Sequence, residues 1–228
     1  MSQVVLNGSI GSLSSRQIIA QSGKYFTVSE PTVGTAVVGA TITAWSATAN
    51  GLFVIANTAP SGGPDVILDF LRLRLRATAP TGTLSMNFDA YNETGIVAGT
   101  TAVVSQTPVQ VNTGKAQTSI ATVQSFAAGC ITIPAAVGTR RLQGTASLAT
   151  GVAVDNDVYV LQFGADGVYP SKNGGAAARA TDPAVIVGGF APVVIAPQTT
   201  SWINMWWLTQ AANVPSWTYT LGFFENQA

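Results

Sequence analysis

VILDFLRLRLRATA, residues Val66 to Ala79, decides the fold class. Leu71, Leu73 and Leu75 alternate with Arg72, Arg74 and Arg76. A period of two places the leucines on one face of a β-strand and the arginines on the other. No helix could use this pattern, because a 3.6-residue period would scatter both sets around its axis. Upstream, Val66, Leu68 and Phe70 share the parity of the arginines, so the buried face switches near Phe70-Leu71. A β-bulge, or a strand crossing between two sheets, produces such a switch. After Pro80-Thr81-Gly82, the segment TLSMNFDAYNE (Thr83 to Glu93) alternates Leu84, Met86 and Phe88 with Ser85, Asn87 and Asp89. The two segments read as a hairpin, with the arginine strand against an Asp/Asn strand.

The rest of the chain repeats this texture. Short runs of Val, Ile, Thr and aromatics are separated by Gly, Pro, Asn and Asp, and no stretch shows a capped helical period. KYFTVSE (Lys24 to Glu30) and AVVGATITAWSA (Ala36 to Ala47) read as strands. Asn50-Gly51 reads as a hairpin turn into LFVIANTA, and Pro60 to Pro64 as a loop. Weaker strands follow at IVAGTTAVVS and PVQVNT, then firmer ones at ATVQSFAAGCITIP, RRLQGTASLAT and DVYVLQFGA, the last preceded by an Asp155-Asn156-Asp157 turn. The C-terminal part holds FAPVVIAP, SWINMWWLTQ and SWTYTLGFFE, with Trp217, Tyr219, Leu221 and Phe223 on one face of the final strand.

The expected architecture is all-β: an antiparallel β-sandwich of about eight to twelve strands, with a jelly roll as one form of it. Residues 1–22, rich in Ser, Gly and Gln, read either as an extended arm or as a short strand, Val4 to Leu6, followed by a loop. Residues 23–228 read as one sandwich domain, with Tyr169 to Ala184 the best place for a subdivision.

Composition narrows the function. The chain of 228 residues has 10 basic and 10 acidic side chains, no histidine and one cysteine. Charged residues are 9% of the total, where a soluble domain has roughly a quarter. A monomer of this mass exposes roughly 10,000 Å², leaving about one charge per 500 Å². With zero net charge, self-repulsion does little to keep copies apart. Such a surface suits a protein packed against copies of itself or a larger assembly. The balanced charge and pI near 6.1 argue against a nucleic-acid partner. MSQVVLNGSIGS has neither the basic nor the apolar region of a signal peptide. The longest apolar run, Ala184 to Pro197, is too short and too rich in Gly and Pro for a membrane helix. Cys130, in FAAGCITIP, reads as a buried thiol, which fits assembly in a reducing cytoplasm.

Catalytic and metal chemistry find little to use. A histidine-dependent triad is excluded, and most carboxylates sit beside turn residues, so the expectation is a non-enzymatic protein without cofactor or metal. Asp155-Asn156-Asp157 could offer oxygens to Ca²⁺, but reads more simply as a turn. Two features remain as candidate interfaces. The first is the cationic comb of Arg72, Arg74 and Arg76. It is either a solvated face paired across strands with Asp89 or Glu93, or a contact in which guanidinium forks bind a partner. The second is the Trp-rich end: Trp202 and Trp206 on one strand face, Trp207 on the other, and Trp217 beyond. These rings belong either to the core or to an exposed aromatic platform.

With its Ala/Thr/Val/Gly-rich β composition, MSQ start, lack of histidine and Ser/Gly-rich opening arm, the chain resembles virion structural proteins of tailed bacteriophages, most of all capsid decoration (cement) proteins. The resemblance spans the whole length in style and rests on no diagnostic motif. It implies a subunit assembled in the host cytoplasm and carried on the virion. It further implies a homo-oligomer, commonly a trimer at local threefold positions, that binds the major capsid protein and stabilises the shell. The alternative expectation is a tail- or fibre-associated module that reads glycans or a receptor with its Trp-rich end.

Overall fold

The computed structural model describes residues 4–6, 9–11, 15–30, 37–38, 49–77, 83–99, 103–115, 117–126, 131–132, 140–152, 155–164, 185–207 and 216–226. The start of the chain forms a small ribbon, β1 (Val4–Leu6) against β2 (Ser9–Gly11), then helix α1 (Ser15–Ser22). Next come β3 (Tyr25–Ser29), β4 (Val37–Val38), β5 (Ala49–Asn57), β6 (Asp65–Ala77), β7 (Thr83–Glu93), β8 (Val103–Gln106), β9 (Val109–Gln110) and β10 (Ala121–Phe126). The remainder is β11 (Ile131–Thr132), β12 (Arg140–Val152), β13 (Val158–Phe163), β14 (Val185–Phe190), β15 (Val194–Ile195), β16 (Thr199–Trp207) and β17 (Ser216–Asn226).

Strands β3 to β17 form two sheets, which makes the chain an all-β sandwich. One sheet runs β12-β7-β16-β5-β10-β8, with β11 also on β5. The other runs β14-β13-β6-β17-β3-β9, with β15 on β6 and β4 on β17. The pairings are antiparallel except β13 with β14, whose parallel register modifies the all-antiparallel expectation. A single hydrophobic cluster joins the inner faces of the two sheets. Phe53 of β5 meets Tyr219 of β17 edge-on, with ring centroids 4.9 Å apart. Beside them the hydroxyls of Ser125 (β10) and Tyr219 lie 2.7 Å apart, so the buried phenol has a polar partner across the layer.

The first sheet is buried on both faces over part of its width. Phe53, Ile55, Val123, Ala90 and Ile203 face the second sheet, whereas Val54, Ala56, Tyr91 and Trp202 point the opposite way and are equally buried. Tyr91 and Trp202 are directly opposed on β7 and β16 and stack at 5.2 Å. The segment Thr94–Gly99 lies over this side: the Val97 N–H donates to Thr200 Oγ1 (2.9 Å) and the Gly99 N–H to Gln124 Oε1 (2.8 Å). Val97 packs on the core through that contact.

Several local expectations change. The arginine strand and the Asp/Asn strand do not form a hairpin. β6 pairs with β13, β15 and β17, while β7 lies in the opposite sheet between β12 and β16. Asn50-Gly51 is not a turn, since both residues fall within β5, where Gly51 faces Ile131 and Asn204. The N-terminal region contains a helix that the apolar pattern did not signal. Its end is a Schellman cap: Gly23 (φ 79°) donates to the Ala20 carbonyl and Lys24 to that of Ile19. Cys130 and residues 165–184, including the proposed subdivision, lie outside the described residues.

Candidate functional site: the arginine face of the second sheet

β6 occupies the middle of the second sheet, and its two faces are segregated. Leu71, Leu73 and Leu75 are fully buried against the core, and Arg72, Arg74 and Arg76 are exposed on the outer face. The parity switch is a bulge at Asp69. Phe70 pairs with Gly222 and Leu68 with Phe223, so Asp69 is the extra residue on β6. A second slip leaves Arg76 as the extra residue between the Ala77–Ser216 and Leu75–Trp217 pairs.

The Asp69 bulge is held by polar contacts. Its Oδ1 accepts from Arg16 Nε (2.9 Å) and Nη2 (2.6 Å), and its Oδ2 accepts from the Tyr25 hydroxyl (2.5 Å). Burial, followed by the Asp69 carboxylate, pushes the Tyr25 phenol well above its ordinary pKa, with Arg16 opposing. Asp69 thus ties α1 and β3 to the bulge, a structural role. Sequence reading assigned Asp69 no role, because its partners lie 53 and 44 residues away.

The comb has different neighbours from those expected. Arg72 lies between Val160 and Thr220, and Arg74 between Val158 and Thr218. Asp89 and Glu93 belong to β7 of the other sheet, and Glu93 is buried there, so cross-strand pairing to them does not occur. Arg74 Nη2 donates to Asn156 Oδ1 (3.0 Å), at the turn whose backbone is fixed by Asn156 N–H to the Leu75 carbonyl (2.7 Å) and Leu75 N–H to that of Asp157 (2.8 Å). Asn156 adopts φ 77°, a conformation that Asn tolerates. Arg72 and Arg76 have no hydrogen bond or ion pair with any described residue. Between the first two arginines lies a shallow groove of about 190 Å³ lined by Glu30, Arg72, Arg74, Thr218, Tyr219 and Thr220. Glu30 Oε2 accepts from the Tyr219 N–H at 3.2 Å, so part of its acceptor capacity is committed to the backbone.

The other candidate divides. Trp202 and Trp217 are fully buried: Trp202 stacks on Tyr91, and Trp217 meets Tyr159 edge-on at 5.8 Å. Both rings are core elements, one of the two readings that the sequence left open. Trp206 and Trp207 sit on β16 opposite Asn87 and Met86, and their side chains lie outside the described residues. No group of three or more Cys, Asp or Glu side chains that could hold a metal ion occurs among the described residues. Nor, among them, is any helix long and apolar enough to cross a membrane. No protein family, no curated protein and no solved structure matches the chain.

Proposed function

We propose that this chain is a non-enzymatic structural subunit of a virus particle, a capsid decoration subunit that forms a homo-oligomer and binds the major capsid protein through the arginine face of its second sheet. The observation that carries the reading is the distribution of charge. In a chain with 20 charged side chains and no net charge, three of the 10 basic residues stand exposed in one row at the centre of one sheet. A solvated sheet face gains nothing from aligned cations about 7 Å apart, which repel each other. The same row becomes favourable when a partner supplies acceptors. Burial of Trp202 and Trp217 removes two of the four rings on which a glycan-reading surface would rest.

The work of such a subunit is mechanical. Neutral surface buried between copies and on the lattice contributes roughly 25 cal/mol per Å² before association costs, and the arginines set orientation. The test is an electron-microscopy map of the particle that carries the chain, together with its mass in solution by light scattering. Density for the sandwich on the outer capsid surface, and a mass of two or more chains, are the expected results. A dispersed monomer that never co-sediments with capsids would overturn the proposal.

A further inference from the structure

We infer that the groove at Arg72 and Arg74 receives an extended acidic segment of a different protein, one that presents carboxylates two residues apart. This rests on the reading of the arginine face as a partner contact and specifies the chemistry of that partner.

Three observations carry it. First, guanidiniums outnumber carboxylates in the lining of the groove. Glu30 supplies one carboxylate to a groove with two guanidiniums, Arg72 has no partner among the described residues, and Arg76 adds a third cation along the same strand. Second, the spacing matches an extended chain. Residues two apart on β6 lie about 7 Å from each other, as do alternate side chains of any extended segment. Thr218 and Thr220 beside them add hydroxyls that can donate to the same oxygens. The groove is too shallow to engulf a nucleotide but admits carboxylate groups. A neutral chain with one cationic row also lacks the broad basic surface that phosphate backbones require.

Third, a second copy of this chain offers no segment with two exposed carboxylates two residues apart. Of its ten acidic residues, only Asp155 and Asp157 stand two apart, and Asp157 is fully buried. Self-association therefore uses other surface, and the arginine face is left for a heterologous partner with an alternating acidic strand.

The experiment uses the full chain and a fluorescein-labelled peptide, (Glu-Thr)4, read by anisotropy at low ionic strength. (Gln-Thr)4, inorganic phosphate and an eight-nucleotide oligothymidylate serve as competitors. Saturable binding of (Glu-Thr)4 is expected, at least tenfold weaker in Arg72→Gln/Arg74→Gln and declining steeply with added salt. Glu30→Gln should tighten binding two- to fivefold by removing the competing carboxylate; its thermal unfolding midpoint reports whether loss of the Tyr219 contact disturbs the fold. Equal binding of (Gln-Thr)4, an unchanged affinity in the double variant, or preferential displacement by oligothymidylate would each overturn the inference. If the double variant still binds capsids normally while wild-type protein ignores the peptide, this inference fails and the particle role stands. If wild-type protein binds the peptide but never associates with particles, the inference stands and the particle role fails.

Discussion

Replacing Gly222 with alanine tests the bulge on which the arrangement of β6 depends. Gly222 faces Phe70 at the point where β6 gains its extra residue. A Cβ built there would lie 2.4 Å from Phe70 Cε1, 2.8 Å from Phe70 Cδ1 and 2.7 Å from the Tyr25 hydroxyl oxygen. Backbone strain does not enter, because Gly222 is not among the glycines with positive φ. The penalty is steric and has two parts. Phe70 is only partly buried and can swing outward, at about 1 kcal/mol for an off-rotamer position. Tyr25 is the stiffer neighbour. Its hydroxyl is bound to Asp69 Oδ2 at 2.5 Å, and displacing it weakens a hydrogen bond to a charged group, worth about 1.5–3 kcal/mol. The expected cost is therefore about 2.5–4 kcal/mol, a fall of roughly 5–16 °C in unfolding midpoint for a chain of this size. Urea unfolding of Gly222→Ala, Tyr25→Phe and the double variant separates the parts. Without the hydroxyl, the alanine should cost at least 1 kcal/mol less, so the two changes should be non-additive. An alanine variant within about 0.5 kcal/mol of wild type, or the same penalty in both backgrounds, would refute the proposed packing of the bulge.

Two other predictions follow from buried polar groups. Asn57 is fully buried and donates to the carbonyls of Pro64 and Ile195, both at 2.9 Å, while its Oδ1 accepts from the Ala59 N–H at 3.0 Å. Asn57→Ala should cost about 2–4 kcal/mol in urea unfolding, and Asn57→Asp at least as much despite its near-identical shape, because a carboxylate would face two carbonyl oxygens. Tyr219 has its phenol pushed up to about 12, by burial first, with Glu30 adding to the rise and the Ser125 hydrogen bond opposing it. The unfolded chain loses this proton near pH 10 and the folded chain near 12, so stability should fall as pH rises through that window. Absorbance at 295 nm should show Tyr219 and Tyr25 ionising only as the fold is lost, and a single titration of all tyrosines near pH 10 in folded protein would contradict this.

Period-two alternation was legible in the chain because it is a local consequence of strand geometry. Leu71, Leu73 and Leu75 had to share a face, Arg72, Arg74 and Arg76 had to share the other, and the parity break before them announced a bulge or a crossing between sheets, of which the structure has the bulge. The turn at Asp155 to Asp157 and the shared face of Trp217, Tyr219, Leu221 and Phe223 on the final strand were accessible on the same terms. Helix α1 was not. Its eight residues carry no strong apolar stripe, and it is held by its Gly23 cap and by Arg16 reaching Asp69. Asn50-Gly51 misled for the opposite reason: its turn preference is local, and pairing with β11 and β16 overrides it.

The sequence by itself determined the fold class, the two faces of each clear strand and the scarcity of charge. Tertiary structure alone decided which strands meet. β6 pairs with β17, almost 150 residues downstream, and not with β7, the strand that follows it. It also decided that Trp202 and Trp217 are core: Trp202 because the first sheet is covered on the side facing away from its partner, and Trp217 because its strand face is turned toward the other sheet. Alternation fixes which side of a strand is apolar, but what covers that side is set by residues distant in the chain. For the arginine row the same logic leaves Arg72 and Arg76 exposed on the outer face of the second sheet, with no partner among the described residues.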